Sequence, residues 1–185
     1  MDEGKLRSIK RKVEDNAQEL ERLVEAIVKK YNRDLHQYME DIKEKLDENE
    51  DKPLSDEVIE NMCMKVPVFM YFAATGLETL GVEGDTAKSV KLEIFNDVYL
   101  SSKVGEKSTI QDKTSYAELE SQSEALVEIA FNRAYKKLKI QIEMAEHVFS
   151  GVKKVLSKRL AEMELNRTEL GYTPRKKGER MDEKD

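Results

Sequence analysis

Two groups of basic residues lie late in the chain: Arg133, Lys136, Lys137 and Lys139, then Lys153, Lys154, Lys158 and Arg159. Lys136 and Lys139 are three apart, and Lys154 and Lys158 are four apart, so on a helix each pair shares a face. Positive stripes of this kind neutralise phosphates. Tyr135, beside the first group, offers a ring on which an unpaired base could stack. The same stripe also suits a solvated helix face that binds nothing, and the residue types alone favour that plainer reading.

Other candidate chemistry is thinner. The run Gly84 to Ser89 echoes a phosphate loop, but Ala87 stands where Gly must precede the Lys-Ser pair, and the preceding segment reads as helix. It is better read as a helix start. A di-iron bundle needs Glu-x-x-His on two helices; Arg33 stands three before His36 and Met144 three before His147, so no metal and no cofactor is expected. Cys63 is the only cysteine, which excludes an internal disulfide and reads as a core or boundary thiol rather than a nucleophile. Asn166-Arg167-Thr168 matches a glycosylation site by chance if the chain is not secreted. No nucleophile–base pair is visible, so the expected protein is not an enzyme.

The elements that position these residues are long helices. Charged residues make up 38% of the 185 and Trp is absent, while Gly (8) and Pro (3) are scarce, which favours helices over sheets. The expected fold is all-α, with long amphipathic helices in an elongated bundle or coiled coil that self-associates. Residues 1–52 form an amino-terminal long helix, 53–166 a helical core ending in a long helix, and 167–185 a disordered charged tail. The first helix covers 6–48, with Val13, Ala17, Leu20, Val24, Ile27, Tyr31, Leu35, Tyr38, Ile42 and Leu46 at three-and-four spacing. Ser55 caps a second helix reaching Leu80, with a kink or break before Pro67. Gly81 to Asp85 reads as a turn, Asp85 as the cap of a third helix over 86–103, and Ser108 with Gln111 as the capping box of a fourth over 109–166. That last helix carries Ala145, Phe149, Val152, Leu156, Leu160 and Met163 as a seam too long for a small core, so it must lie along partner helices, its own or a copy's.

Net charge is −6, which argues against a generally basic nucleic-acid binder, but the charge is divided. Residues 40–61 hold ten acids against three lysines, and 133–180 hold thirteen Lys and Arg against six Glu. The first twelve residues are polar and no window is apolar enough to span a bilayer, so the expected location is the cytoplasm, that of the host if a phage encodes the chain.

From Leu35 to Leu165 the order of features resembles the phage recombination mediators of the UvsY-like kind. The resemblance rests on an acidic helix, "VPVFMYFAATGLETLG" from Val66, "DTAKSVKLEIFNDVYLSSKVGEKSTIQDK" from Asp85, and a long final helix with "FNRAYKKLK" from Phe131. It implies a non-catalytic, homo-oligomeric protein that binds single-stranded DNA and helps a RecA-like recombinase displace single-strand-binding protein. It implies DNA contacts from Lys88, Lys91 and Lys103, with Lys107 and Lys113 beyond. Where the family has a Lys-Ala-Arg run, this chain has Val90-Lys91-Leu92-Glu93. The rival expectation is a coiled-coil scaffolding protein, of a phage particle for example, that binds no nucleic acid.

Overall fold

The computed structural model describes residues 3–49, 53–101 and 109–169. They form four helices, α1 (Glu3–Asn49), α2 (Asp56–Leu100), α3 (Ile110–Glu120) and α4 (Gln122–Glu169), and no strand occurs among the described residues. The chain is therefore all-α, as its periodicity predicts. Cross-helix bonds fix the directions. Asp56 meets Arg159 and Lys91 meets Glu128, so α2 and α4 are antiparallel. Glu25 meets Lys137 and Asn32 meets Gln141, so α1 runs parallel to α4. The short α3 lies mainly against α2.

The core is a seam of small and branched side chains. Ala130, Ala134, Leu138 and Ala145 of α4 meet Ala73 and Leu80 of α2 and Val24, Val28 and Leu35 of α1. A second cluster, Ile42, Met62 and Val66, is sealed by Phe149 and Val152. Burying each Leu, Val or Ile contributes about 1.5–3 kcal/mol, so these rows carry the bundle. Cover ends before the helices do. Every described side chain from Val13 to Glu19 is exposed, as are those from Leu160 to Arg167.

Several boundaries differ from the pattern-based expectation, each for a local reason. Gly81 to Asp85 is not a turn: α2 runs through it, and Asp85 is helix interior rather than a cap. A side chain at either glycine would find only ordinary contact distances. A side chain on Gly81 would meet the Tyr135 ring at 3.5 Å, and one on Gly84 would meet Phe131 at 3.8 Å. Pro67 also sits inside α2 without ending it. The interruption falls instead in α1 at Asn32, whose φ of −132° and ψ of 20° leave the helical region. The fourth helix is divided at Ser121, a buried residue whose hydroxyl and N–H both donate to the Ala117 carbonyl, at 2.8 and 3.0 Å.

The start of α2 follows the expectation: the Ser55 hydroxyl accepts the Val58 N–H, with Asp56 and Glu57 in the first turn. At α3 the capping box lies one residue later than expected. Thr109 accepts from the Asp112 N–H at 3.2 Å, and the Asp112 carboxylate accepts the Thr109 N–H at 2.9 Å; Ser108 lies outside the described residues. The Thr109 hydroxyl, which donates to that carboxylate at 2.7 Å, and then the Thr109 N–H hold the Asp112 carboxyl below its usual range. Helix α4 continues to Glu169, three residues into the expected tail, and 170–185 lie outside the described residues. So do 50–52, where the first boundary was expected.

Tyr31 ties α1 to α2. Its hydroxyl donates to the Glu83 carboxylate at 2.6 Å, Lys30 adds a bond at 3.2 Å, and the Tyr31 Cβ lies 2.9 Å from where a side chain on Gly76 would begin. Gly76→Ala meets that Cβ and the Tyr31 carbonyl, neither of which can swing away. We expect a loss of about 1–3 kcal/mol in urea unfolding, whereas Gly151→Ala, with open space around it, should gain up to about 1 kcal/mol from helix propensity.

The Tyr31 hydroxyl is also the main reason the Glu83 carboxyl sits below its usual range. A lowered carboxyl contributes stability above its unfolded pKa and loses it as pH falls through the folded value. Tyr31→Phe should therefore cost about 1 kcal/mol at neutral pH, and the difference from wild type should close on acidification through the carboxylate range. Parallel denaturant melts at neutral and acid pH check this.

Candidate nucleic-acid interface

The helix positions of the basic residues decide which are available. On α4 the buried residues Ala134, Leu138 and Ala145 define the inner face. Lys136 and Lys154 lie on the opposite one. They are 18 residues apart, a whole number of turns, hence in line and about 27 Å apart along the helix. Arg133, Lys139, Lys153 and Lys158 flank that line.

The bundle uses some of the expected contact residues for its own cohesion. Lys91 pairs with Glu128 at 2.9 Å in a half-buried site. Lys137 pairs with Glu25 of α1. Arg159, with a side chain only 22% exposed, bonds the Asp56 carboxylate and donates to the Leu54 carbonyl at 2.7 Å. These are ties between helices rather than free cations. Lys139 and Lys158 stand 4.0 and 3.8 Å from Glu143 and Glu162 one turn on, exposed pairs worth little. The Lys153 ammonium lies over the Phe149 ring at 4.6 Å.

Lys88 is exposed on α2, and Lys113 is half-buried on α3. Lys103 and Lys107 lie outside the described residues. Tyr135, the expected stacking ring, is 37% exposed and leans on Gly81. Arg133, Lys136 and Lys154 are exposed and have no ion-pair partner among the described residues. They are the free part of the stripe.

A second basic strip, not anticipated, lies on α1. Lys29, Arg33 and His36 line a groove of about 220 Å³ against Gln141 of α4. The Lys137–Glu25 pair holds the start of this strip beside the first basic group of α4, with Lys29 one turn beyond Glu25 and Arg33 two. Asn32 also lines it, donating from its side-chain amide to the Gln141 side-chain oxygen (Oε1) at 2.7 Å while its own side-chain oxygen is buried without a partner among the described residues. The four-residue step from Lys29 to Arg33 was a readable signal. The kink at Asn32, a residue that lines the groove, was not.

Among the described residues, no three His, Cys, Asp or Glu side chains gather as metal ligands, and no helix is long and apolar enough to cross a membrane. Searches against protein-family models, curated proteins and solved structures find no match to this chain.

The division between tying and free cations is measurable. Arg159→Ala should lower stability by about 1–2 kcal/mol because it leaves the Asp56 and Leu54 acceptors unpaired. Lys154→Ala, equally basic in sequence but exposed, should change it by under about 0.5 kcal/mol. Thermal unfolding of the two variants side by side checks the contrast.

Proposed function

We propose that this chain binds single-stranded DNA as a homo-oligomer and serves as a recombination mediator. In this reading it helps a RecA-like recombinase replace single-strand-binding protein. One observation carries it: in a chain of net charge −6, Arg133, Lys136 and Lys154 stand on the outward side of α4 with no acid paired to them among the described residues. The strip of Lys29, Arg33 and His36 lies alongside the first of them. A single protomer with so few phosphate contacts binds weakly. Copies repeating the stripe gain by effective concentration, which is why self-association belongs to the mechanism. Large exposed apolar side chains support that association, among them Met64, Tyr71 and Phe72 on one stretch of α2 and Leu160 and Met163 at the end of α4. The recombinase and single-strand-binding protein enter from the resemblance of 35–165 to UvsY-like mediators. The chain's own chemistry here is phosphate neutralisation and positioning, with no bond made or broken.

A second reading is favoured by a different observation. Lys91, Lys137 and Arg159 are engaged in holding the helices together, as in a scaffolding coiled coil that has no use for DNA.

Fluorescence anisotropy with a labelled oligothymidylate separates the two. The mediator reading expects binding that weakens steeply as salt rises. Changing Arg133, Lys136 and Lys154 together to Glu should weaken it by about tenfold or more with helicity unchanged. No binding at low salt, or binding indifferent to salt and to the triple substitution, overturns the reading in favour of the scaffold.

A further inference from the structure

An apolar groove between two helices and the exposed outward stretch of α1 match each other. The groove, of about 530 Å³, lies between α2 and α4. Val82, Ala87 and Val90 form one wall, Val127 and Phe131 the other, and Glu83 and Glu124 lie at its edges. Val82 is 66% exposed, and no residue of α1 and no Lys or Arg lines the groove. The segment is the amino-terminal arm of α1. Its apolar stripe continues outward from Val24 through Leu20 and Ala17 to Val13, and in the sequence on to Ile9 and Leu6, at the same three-and-four spacing. Yet every side chain from Val13 to Glu19 is exposed, Val13 at 62%.

We propose that the arm of α1 from a second copy of this chain docks in the α2–α4 groove. Length agrees: Leu6 to Val13 spans about 10 Å of helix, and Val82 to Val90 about 12 Å. Charge agrees as well. In the sequence residues 5–12 hold five Lys and Arg and no acid, with Lys10 paired to Glu14 one turn on; of the two carboxylates that line the groove, Glu83 already holds Lys30, and Glu124 has no ion-pair partner among the described residues.

The arm of the same chain is the wrong occupant. Tyr31 and Lys30 fasten α1 to Glu83 at one end of the groove, and Glu25 is fastened to Lys137. Between Glu3 and Asn32 the helix has no further break, so its arm runs on in line with that fastened segment instead of turning back. Each copy thus holds one arm and one groove. A reciprocal exchange closes a dimer, and a head-to-tail series builds a ring or filament. The inference rests on the self-association part of the proposed function and is independent of DNA binding.

The test uses the full chain in a Cys63→Ser background. One preparation carries Val13→Cys and another Val90→Cys, and they are mixed under mild oxidation and run on a non-reducing gel. A two-chain product in the mixture, above what either preparation gives alone, is expected, together with its suppression at high salt. No excess of mixed product overturns the proposal. So does closure within one chain, at monomer mass, when both substitutions are combined. As a second readout, Val90→Glu with Val127→Glu should raise the dissociation constant for self-association by about tenfold or more, followed by sedimentation with helicity checked by circular dichroism; unchanged association overturns the proposal too. Oligothymidylate binding measured on the same preparations shows whether the DNA reading stands or falls separately.

Discussion

Close approach of α2 and α4 is the constraint on which the rest depends. Ala130, Ala134 and Ala145 on one helix and Ala73, Gly81 and Gly84 on the other keep the contact surface shallow, and Leu80 and Leu138 fill what remains. Helices faced with small residues pack at the short end of the usual interaxial range, about 8 Å. The Tyr135 ring rests over Gly81, 3.5 Å from where a side chain would begin, an ordinary contact distance. α1 then needs to cover only part of one side, and this leaves its two ends and the outer faces of α2 and α4 open.

The antiparallel run of these two helices also arranges the charge. It brings the acidic start of α2 to the basic second half of α4, so Asp56 lands on Arg159, and it brings Lys91 to Glu128. Charges far apart in the sequence become local neutral pairs. What remains outward is the surplus, Lys136 and Lys154 in line on the far face with their flanking cations. The division of labour among chemically similar side chains follows from helix angle, not from residue type.

Much of the fold was legible because three-and-four spacing reports which side of a helix is inside. The rows through Val24, Leu35 and Ile42 of α1 and through Ala145 and Phe149 of α4 are inside or at the edge of the core, as their spacing says. Where breaks fall was less legible. Gly81, Gly84 and Pro67 are turn formers by local preference, but the packing of α2 on α4 overrides that preference and keeps the helix whole. Asn32 and Ser121, the residues where helices do break, carry no strong local signal. Asn32 bonds a partner 109 residues away, Gln141, and Ser121 bonds the Ala117 carbonyl four residues back. The basic stripe was legible as residue types. Which members tie helices together was not, because Glu25, Asp56 and Glu128 are neighbours only once the bundle has formed.

The departure of Asn32 from helical geometry has a mechanical consequence. A 47-residue helix is a rod of about 70 Å, and this joint divides it into arms of unequal length. The longer arm, from Asn32 back to Glu3, measures about 44 Å. Val28, Val24, Leu20 and the Glu25–Lys137 pair seat the near part of that arm on the bundle, so the direction taken at Asn32 is carried outward along the remaining stretch from Glu19 to Glu3, about 24 Å.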